Sequence, residues 1–400
     1  MAVAIVGTLD TKGDEIRFVR DLLRELGVET LVIDAGVQGD PTFEPDIPRD
    51  ELFAAAGTTR QAMLDAGDRG KAVEAAARGA ALLVPKLYAA GQITGVLSLG
   101  GSAGTTIGTA AMRALPFGVP KLMVSTLASG QVRQYVGVRD IFMLHSVVDI
   151  SGLNRISRTV LTNAAQAMAG MVRRPPRPAE AHAGKPLIAA TMFGVTTPCV
   201  EAARKILEQA GYEVLVFHAT GTGGMTMETF IADGIIRGVL DITTTELADE
   251  LVGGILTAGP DRLTAAGKRG VPQVISVGAL DMVNFGPPDT VPEKFRNRQF
   301  YQHNPTVTLM RTTADESRKL GEEIGRKAAA AMGPTTLMIP LKGVSAIDQT
   351  GKAFDDPAAR QALYDGIRAT HGTVELIELD HHINDPAFAE AAARRLIAML

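Results

Sequence analysis

The chain is poor in cysteine and in aromatic residues. Cys199 is its only cysteine, so an intramolecular disulfide is excluded and a reducing cytoplasm is the expected location. Tryptophan is absent and aromatic residues make up 4% of the chain. The core must therefore be built from aliphatic side chains and methionine, as is common where helices pack on parallel sheets.

Long apolar runs and concentrated charge are also missing. No apolar stretch approaches the roughly 18 residues that a membrane-spanning helix needs, and no basic, cleavable leader is visible at the N-terminus. The net charge is −4, without a run of lysines or arginines. We therefore expect neither a membrane nor a nucleic acid as partner.

What is present indicates an α/β protein with two domains. A strand pattern at residues 3–6, a helical pattern at 15–26 and a strand at 29–33 form a βαβ unit, which favours a parallel sheet. The stretch at 173–178 is rich in proline and arginine and is typical of a linker. The expected organisation is an N-terminal domain over 1–172, a linker over 173–186 and a nucleotide-binding domain over 187–400.

The second half of the chain repeats the first. Placing Gly7 on Thr191 also places Ala35 on Ala219 without a gap, an offset of 184 residues. Residues 95–97 and 238–240 match at an offset of 143, so the first half carries about forty extra residues before Gly95. We interpret this as an internal duplication of Rossmann-like domains with parallel sheets that face a central cleft. The alternative is the general similarity of open α/β domains.

A glycine-rich turn ends one predicted strand and begins a helix. Strand termini of this kind present backbone N–H groups to anions at the carboxyl edge of the sheet. The turn matches neither a Walker motif nor G-x-G-x-x-G. We predict that it binds an anion, and the alternative is a tight turn that lets strand and helix pack closely. The predicted anion-binding residues are Gly100, Gly101, Ser102, Gly104 and Thr105.

A second glycine turn follows the strand at 214–218. It stands beside the loop that begins at Met192, whose hydroxyls suit phosphate and whose Phe193 suits a base. We predict that these two segments bind the cofactor, and the alternative is a pair of ordinary turns. The predicted residues are Met192, Phe193, Gly194, Thr196, Thr197, Gly221, Thr222, Gly223 and Gly224.

Candidate catalytic residues are few. Lys12 lies among carboxylates in the first βα loop, His303 lies with Arg296 in a long irregular loop over 284–305, and Lys342 follows a strand. No G-x-S-x-G, H-E-x-x-H or C-x-x-C motif is present, and no metal site is predicted. The catalytic residues therefore stay unassigned, with Lys12, His303 and Lys342 as candidates.

Several motifs together resemble a known family. They are the segments at 6–12, 100–105, 191–198, 221–224 and 382–385, and Gly343-Val344-Ser345 with Asp348. The combination is similar to the ATP-binding domain family of the tomato mosaic virus resistance protein, which includes bacterial and fungal proteins of unknown function. The resemblance covers essentially the whole chain. It implies two Rossmann-like domains, ATP binding, a homodimer and, in the plant member, inhibition of a viral replication protein.

Three hypotheses follow for function. The first is an ATP-binding protein without an assignable reaction, which holds ATP, with or without Mg²⁺, in the interdomain cleft against the second domain. The second is an enzyme of small-molecule metabolism that acts on a phosphorylated or carboxylate substrate through Lys12, Arg296, His303 or Lys342. The third is a regulatory module that uses the nucleotide to control binding to a partner protein.

Overall fold

The computed structural model of the protein describes residues 2–173 and 184–400. The chain divides into two compact units, 1–177 and 178–400, and each is described by itself. The predicted linker lies largely outside the described residues. Within the described part of the chain, no helix is both long and apolar enough to cross a membrane.

The first unit contains a five-stranded parallel sheet with helices on both faces. Its strands are β1 (Ala2–Gly7), β2 (Thr30–Asp34), β3 (Ile93–Gly100), β4 (Lys121–Ser125) and β5 (Phe142–His145). Its helices are α1 (Leu9–Glu25), α2 (Arg49–Ala55), α3 (Arg60–Ala66), α4 (Arg69–Ala89), α5 (Ser102–Arg113), α6 (Arg133–Val136) and α7 (Arg155–Arg173). The strand order is β2-β1-β3-β4-β5, with every neighbouring pair parallel.

The alternation of side chains along β1 explains why both faces of this sheet are covered. Val3 and Ile5 pack in the apolar cluster that includes α1 and α7, whereas Ala4 and Val6 pack in the cluster that includes α2, α4 and α5. Successive residues of a strand point to opposite faces, so a strand of continuous apolar residues is stable only between two layers of helices.

The stretch before Gly95 forms α2, α3 and α4. The glycines at 67–70 and the proline at 85 predict two breaks in this helical stretch. The first is confirmed, since Gly67 ends α3 in the left-handed conformation with a φ of 61°. The second expected break, at Pro85, is wrong: α4 continues through this proline to Ala89.

The second unit contains a six-stranded parallel sheet and a three-stranded antiparallel sheet. The strands are β6 (Leu187–Met192), β7 (Glu213–His218), β8 (Gly238–Thr243), β9 (Gln273–Gly278), β10 (Met282–Phe285), β11 (Phe300–Asn304), β12 (Val307–Arg311), β13 (Thr335–Pro340) and β14 (Glu375–Leu379). The helices are α8 (Thr197–Gln209), α9 (Thr222–Ala232), α10 (Glu246–Val252), α11 (Ala265–Arg269), α12 (Ala314–Ala329), α13 (Pro357–Thr370) and α14 (Pro386–Met399).

The antiparallel sheet corrects one expectation. Residues 284–305 do not form a long irregular loop, because β10 and β11 pair on either side of β12. The sequence signal for β11 is weak because all five of its residues are exposed, so no apolar alternation marks it.

The two parallel sheets share a strand order. The second runs β7-β6-β8-β9-β13-β14, so its first five positions match those of the first sheet and β14 adds a sixth. The Rossmann-like fold with two parallel sheets is therefore confirmed. The helices before and after the fifth position differ, since α7 follows β5 whereas α12 precedes β13.

The register of the repeat differs by one residue from the offset that the sequence suggests. The amide of Ala35 donates to the carbonyl of Gly7 at 2.8 Å, and the amide of Ala219 donates to the carbonyl of Met192 at 2.8 Å. Gly7 therefore corresponds to Met192 rather than to Thr191. Both strands are buried and apolar, so a slip of one residue leaves similar residue types opposite each other.

Candidate functional site

A cavity of about 450 Å³ opens at the carboxyl edge of the first sheet. In the order β2-β1-β3, the strands β2 and β3 lie on opposite sides of β1. The order in which strands are added to the sheet therefore reverses after β2, although all the strands stay parallel. Open α/β sheets bind ligands at this point, because the loops there diverge and leave a crevice. The cavity is lined by the loops after β1, β2 and β3 and by α3, α4 and the start of α5.

The predicted glycine turn forms the floor of this cavity. Gly100, Gly101, Ser102, Ala103 and Gly104 all line it, and Gly101 is the N-cap of α5 without a side-chain cap. Within residues 2–173 and 184–400, no side chain accepts a hydrogen bond from the amides of 101–104. The positive end of a twelve-residue helix thus meets the cavity with its first N–H groups free of side chains.

The three glycines of this turn differ in whether their surroundings leave room for a side chain. A Cβ on Gly100 would lie 2.9 Å from the Cα of Gly104, and a Cβ on Gly104 would lie 3.0 Å from the carbonyl oxygen of Leu99. Those two glycines let the strand and the helix cross closely. A Cβ on Gly101 would meet nothing nearer than Thr126 Oγ1 at 3.7 Å. Packing therefore explains Gly100 and Gly104 but not Gly101.

Thr105 supports the turn from below. It is fully buried, and its hydroxyl shares a hydrogen bond of 2.7 Å with Ser125 Oγ, the last residue of β4. Thr105 does not line the cavity, whereas Ser102 is exposed there. The structure thus places Thr105 behind the predicted anion site.

Lys12 lies in the same cavity as the glycine turn. It is half-buried, and its ammonium group donates to the carbonyl of Ile150. Asp10 stands beside it, but one oxygen of its carboxylate accepts from the amides of Val37 and Gln38, at 3.1 and 3.0 Å. Lys12, Asp10 and Asp149 all line the cavity, and the carboxylate of Asp10 also binds the loop after β2.

One wall of the cavity is apolar. Met63, Leu64, Val73 and Ile107 contribute to it, together with small alanines of α4. Most of this wall belongs to the extra helical segment that the second half of the chain lacks. Arg69 lies at the start of α4 on the same wall, exposed to solvent. Apolar surface opposite a polar turn is the usual composition of a small-molecule site.

The second glycine turn already holds a carboxylate. Glu246 Oε1 accepts hydrogen bonds from the amides of Gly221 at 2.6 Å and Gly224 at 3.0 Å. The glycines fit around this group and around nearby backbone. A Cβ on Gly224 would lie 2.1 Å from Glu246 Oε2, and a Cβ on Gly223 would lie 1.9 Å from the carbonyl oxygen of His218. Packing thus explains these glycines, and cofactor binding at 221–224 stays a prediction.

The hydroxyls of the neighbouring loop also have partners within the protein. Thr196 is fully buried and its hydroxyl bonds with Thr243 Oγ1 at 2.8 Å, while Thr197 Oγ1 donates to the carbonyl of Phe193 at 3.2 Å. The ring of Phe193 packs against that of His218, with centroids 5.5 Å apart. Met192 ends β6, and Gly194 begins a short 3₁₀ helix, Gly194–Thr196. A role for this loop in base binding stays a prediction.

The other catalytic candidates lie in the second unit. His303 is exposed on β11, and Lys342 follows β13, where it pairs with Asp380 at 2.8 Å. Arg296 is exposed and pairs with Glu293 at 2.9 Å. In the described parts of the chain, no group of three or more His, Cys, Asp or Glu side chains is placed so that it could hold a metal ion. The structure therefore brings only Lys12 to the glycine turn at 100–104.

Two family matches together span nearly the whole chain. Residues 1–177 match the N-terminal domain, and residues 185–400 the C-terminal domain, of the uncharacterised protein family UPF0261. The chain belongs to the UPF0261 family.

Relatives of this UPF0261 chain come from bacteria and from tomato. A UPF0261 protein of Clostridium tetani is 51% identical over 400 residues, covering 100% of this chain and 98% of the relative. The ToMV susceptible protein tm-1(GCR26) of Solanum lycopersicum is 40% identical, covering 99% of this chain but 55% of the tomato protein. The ToMV resistance protein Tm-1(GCR237) is likewise 40% identical, with 97% and 54% covered. The resemblance to this family is therefore confirmed.

Solved structures are more distant. A UDP-N-acetylglucosamine 2-epimerase from Rickettsia bellii is 9% identical with a TM-score of 0.22, covering 68% of this chain and 78% of that protein. A similarity this weak says nothing about residues or ligands.

Sequence reasoning missed the charged group behind the second glycine turn. Arg262 is fully buried and pairs with both Asp241 and Glu246, at 2.6 and 2.7 Å. The sequence contained a signal for this group. Glu246 follows β8, the strand that corresponds to β3, and the first unit has its glycine turn at 100–104 in the same place. Reasoning also missed the wall formed by α3 and α4, since nothing in a helical pattern tells which cavity it will line.

Proposed function

We propose that this UPF0261 chain binds ATP in the cavity of its first unit. The observation that carries the proposal is the turn at 101–104, which presents helix N-terminal amides to a cavity at the reversal point of the sheet. Backbone N–H groups at a helix N-terminus favour phosphate both by hydrogen bonding and through the helix dipole.

The remaining features of the cavity suit the rest of a nucleotide. Lys12 supplies a positive charge beside the turn, which favours a polyphosphate. The apolar wall of Met63, Leu64 and Val73 suits the face of a base. The proposed ligand is ATP, either alone or with Mg²⁺. A magnesium ion bound to the phosphates would need only one or two protein carboxylates.

The second unit supplies the design of the test. Ala103 lines the cavity and aligns with Glu246 at the offset of 143 residues that relates β3 to β8. The variant Ala103→Glu brings a carboxylate into the cavity beside the amides of 101–104, where its charge repels phosphate. Ala103→Gln has nearly the same size without the charge and is the matched control.

The measurement is isothermal titration with ATP, with and without Mg²⁺. We expect the unmodified chain to bind, Ala103→Glu to bind about 100-fold more weakly, and Ala103→Gln to stay within about 5-fold. Circular dichroism confirms that each variant is folded. Unchanged affinity in Ala103→Glu, or no binding by the unmodified chain, would contradict the proposal.

Lys12 favours a second candidate function. A cation beside an anion-binding turn also suits an enzyme that acts on a phosphorylated or carboxylate metabolite. A screen of such metabolites for turnover tests this alternative, with Lys12→Ala as the variant. Turnover that Lys12→Ala abolishes would favour the enzyme. Turnover that Lys12→Ala does not affect would contradict the role of Lys12, and no turnover in the screen would favour ATP binding without a reaction.

We further propose a homodimer in a reducing cytoplasm. The dimer is supported by the motif resemblance, and the compartment by the single cysteine of the sequence, Cys199, which can form no intramolecular disulfide. The Cys199 thiol is fully buried, and burial raises its pKa to about 12, so it stays protonated and unreactive. Sedimentation equilibrium of the purified chain measures the assembly, and a single species of 42.1 kDa would contradict a dimer.

A further inference from the structure

In each parallel sheet, the loop after the second strand in chain order (β2 or β7) binds a side-chain carboxylate of the protein itself. In the first unit, Asp10 Oδ2 accepts from the amides of Val37, Gln38 and Gly39, at 3.1, 3.0 and 3.3 Å. In the second unit, Glu246 Oε1 accepts from the amides of Gly221 and Gly224. The loops correspond because Ala35 and Ala219, just before them, make the same hydrogen bond to the first strand.

The two carboxylates come from different loops. Asp10 follows β1, the first strand of its sheet in chain order. The turn after β3, the third strand, therefore keeps its amides free of side chains within the described part of the chain. Glu246 follows the third strand, β8, and so comes from the place that the open turn holds in the first unit. The equivalence of the third strands is fixed by matching bonds, Val96 to the carbonyl of Pro120 and Val239 to that of Pro272, both 2.9 Å.

Glu246 is held in place by a buried arginine. Arg262 Nε lies 2.7 Å from Glu246 Oε2, and its two terminal nitrogens bind both oxygens of Asp241 at 2.6 and 2.7 Å. Neither Arg262 nor Glu246 has exposed side-chain surface. Burial would lower the pKa of Arg262, but the charges of Asp241, Glu246 and Glu228 hold it well above its usual value.

A second carboxylate extends the same arrangement. Glu228 lies 3.3 Å from Arg262 and accepts hydrogen bonds from the amides of Leu263 and Ala265, at 2.6 and 2.7 Å. Both Glu246 and Glu228 therefore accept hydrogen bonds from amides at the start of a helix while they pair with Arg262. In this unit, side-chain carboxylates occupy the amides that could otherwise receive an external anion.

We propose that Glu246 is a built-in anion that closes the glycine turn of the second unit to phosphate. External phosphate could reach the amides of Gly221 and Gly224 only after displacing a buried, ion-paired carboxylate. Of the two glycine turns, only that of the first unit then has amides left for an external anion. Closure of the second turn is proposed whether or not the first unit binds ATP.

Removal and replacement of the carboxylate test this role. We compare Glu246→Ala with Glu246→Gln, which keeps an oxygen that can accept from both amides. Sodium acetate should raise the melting temperature of Glu246→Ala by about 3 °C more than sodium chloride of equal ionic strength, by restoring the missing carboxylate. The unmodified chain and Glu246→Gln should show no difference between the salts. A folded Glu246→Ala that does not distinguish acetate from chloride would overturn the proposal.

Hydrogen exchange on the unmodified chain gives a test that needs no variant. Exchange of peptides covering 219–226 and 99–106 is measured by mass spectrometry with and without inorganic phosphate. We expect no phosphate-dependent slowing at 219–226. Slowing there would overturn the proposal. Exchange of the peptide at 99–106 reports on the first unit separately. Failure of the ATP proposal can therefore be distinguished from failure of this one.

Discussion

The loops after the third strand of the two sheets differ in what meets the start of the following helix. In the first unit, the chain runs Gly100-Gly101-Ser102-Ala103-Gly104, and the amides face a cavity. In the second, it runs Thr243-Thr244-Thr245-Glu246, and the carboxylate turns to a neighbouring loop. The same strand order thus supports a helix start whose amides face a cavity in one unit, and a helix start that sends a carboxylate to a neighbouring loop in the other.

The surroundings of the two loops differ as well. The first unit has α2, α3 and α4 between its second and third strands, and α3 and α4 form a wall of the cavity. The second unit has only α9 in that interval. The first unit therefore differs from the second in two ways: its turn has no competing carboxylate among the described residues, and α3 and α4 enclose the space beside the turn.

The largest effect is expected from the arginine that holds the occupied turn. Arg262→Met leaves the carboxylates of Asp241 and Glu246 buried without the positive charge that pairs with them, which should cost about 3–5 kcal/mol of unfolding free energy. Urea unfolding measures the loss. Arg262→Lys keeps the positive charge and should recover part of it. A loss below about 1 kcal/mol in Arg262→Met would show that the charged group does not stabilise the second unit.

A matched pair of glycine substitutions compares the two turns directly. Gly224→Ala places a Cβ 2.1 Å from Glu246 Oε2 and should cost about 2 kcal/mol, without an effect on ATP affinity. Gly101→Ala has free space and should cost less than about 1 kcal/mol, but it narrows the anion site. We expect ATP affinity to fall about 10-fold in Gly101→Ala alone. Titration and urea unfolding of both variants would expose the opposite pattern.

A further prediction concerns pH. Burial raises the pKa of Asp249, in α10 of the second unit, to about 7, while hydrogen bonds from Asn284 and Leu256 oppose the shift. The folded state therefore binds this proton more tightly than the unfolded state does. Its contribution to stability is present below pH 4 and is lost as the pH rises to 7.

Asp249→Asn removes that titration. The slope of unfolding free energy against pH should become less negative by about one proton between pH 4 and 7. Asn284 is buried with its side-chain oxygen unpartnered, and it can accept from the new amide after a flip. Urea unfolding across this range measures the slope, and an unchanged slope would contradict a raised pKa. Asp14→Asn, at an exposed position of the first unit, serves as the control.

Much of the fold was predictable because it depends on local patterns. The βαβ unit at the start, the break at Gly67 and the capping box of Thr313 and Glu316 all follow from nearby residues, and the structure contains each. The strand β11 and the continuity of α4 through Pro85 were not predicted. An exposed strand lacks an apolar pattern, and the residues packed around a helix decide whether it tolerates a proline.

The sequence by itself determined two Rossmann-like units, the similarity between them and a glycine turn at the carboxyl edge of each sheet. Only the tertiary structure decided that one turn is open and the other is occupied. Both turns have three glycines within five residues and both begin a helix, so local chemistry cannot distinguish them. The difference arises from Glu246 and Arg262, which are distant in sequence from Gly221 and come together only when the strands are side by side.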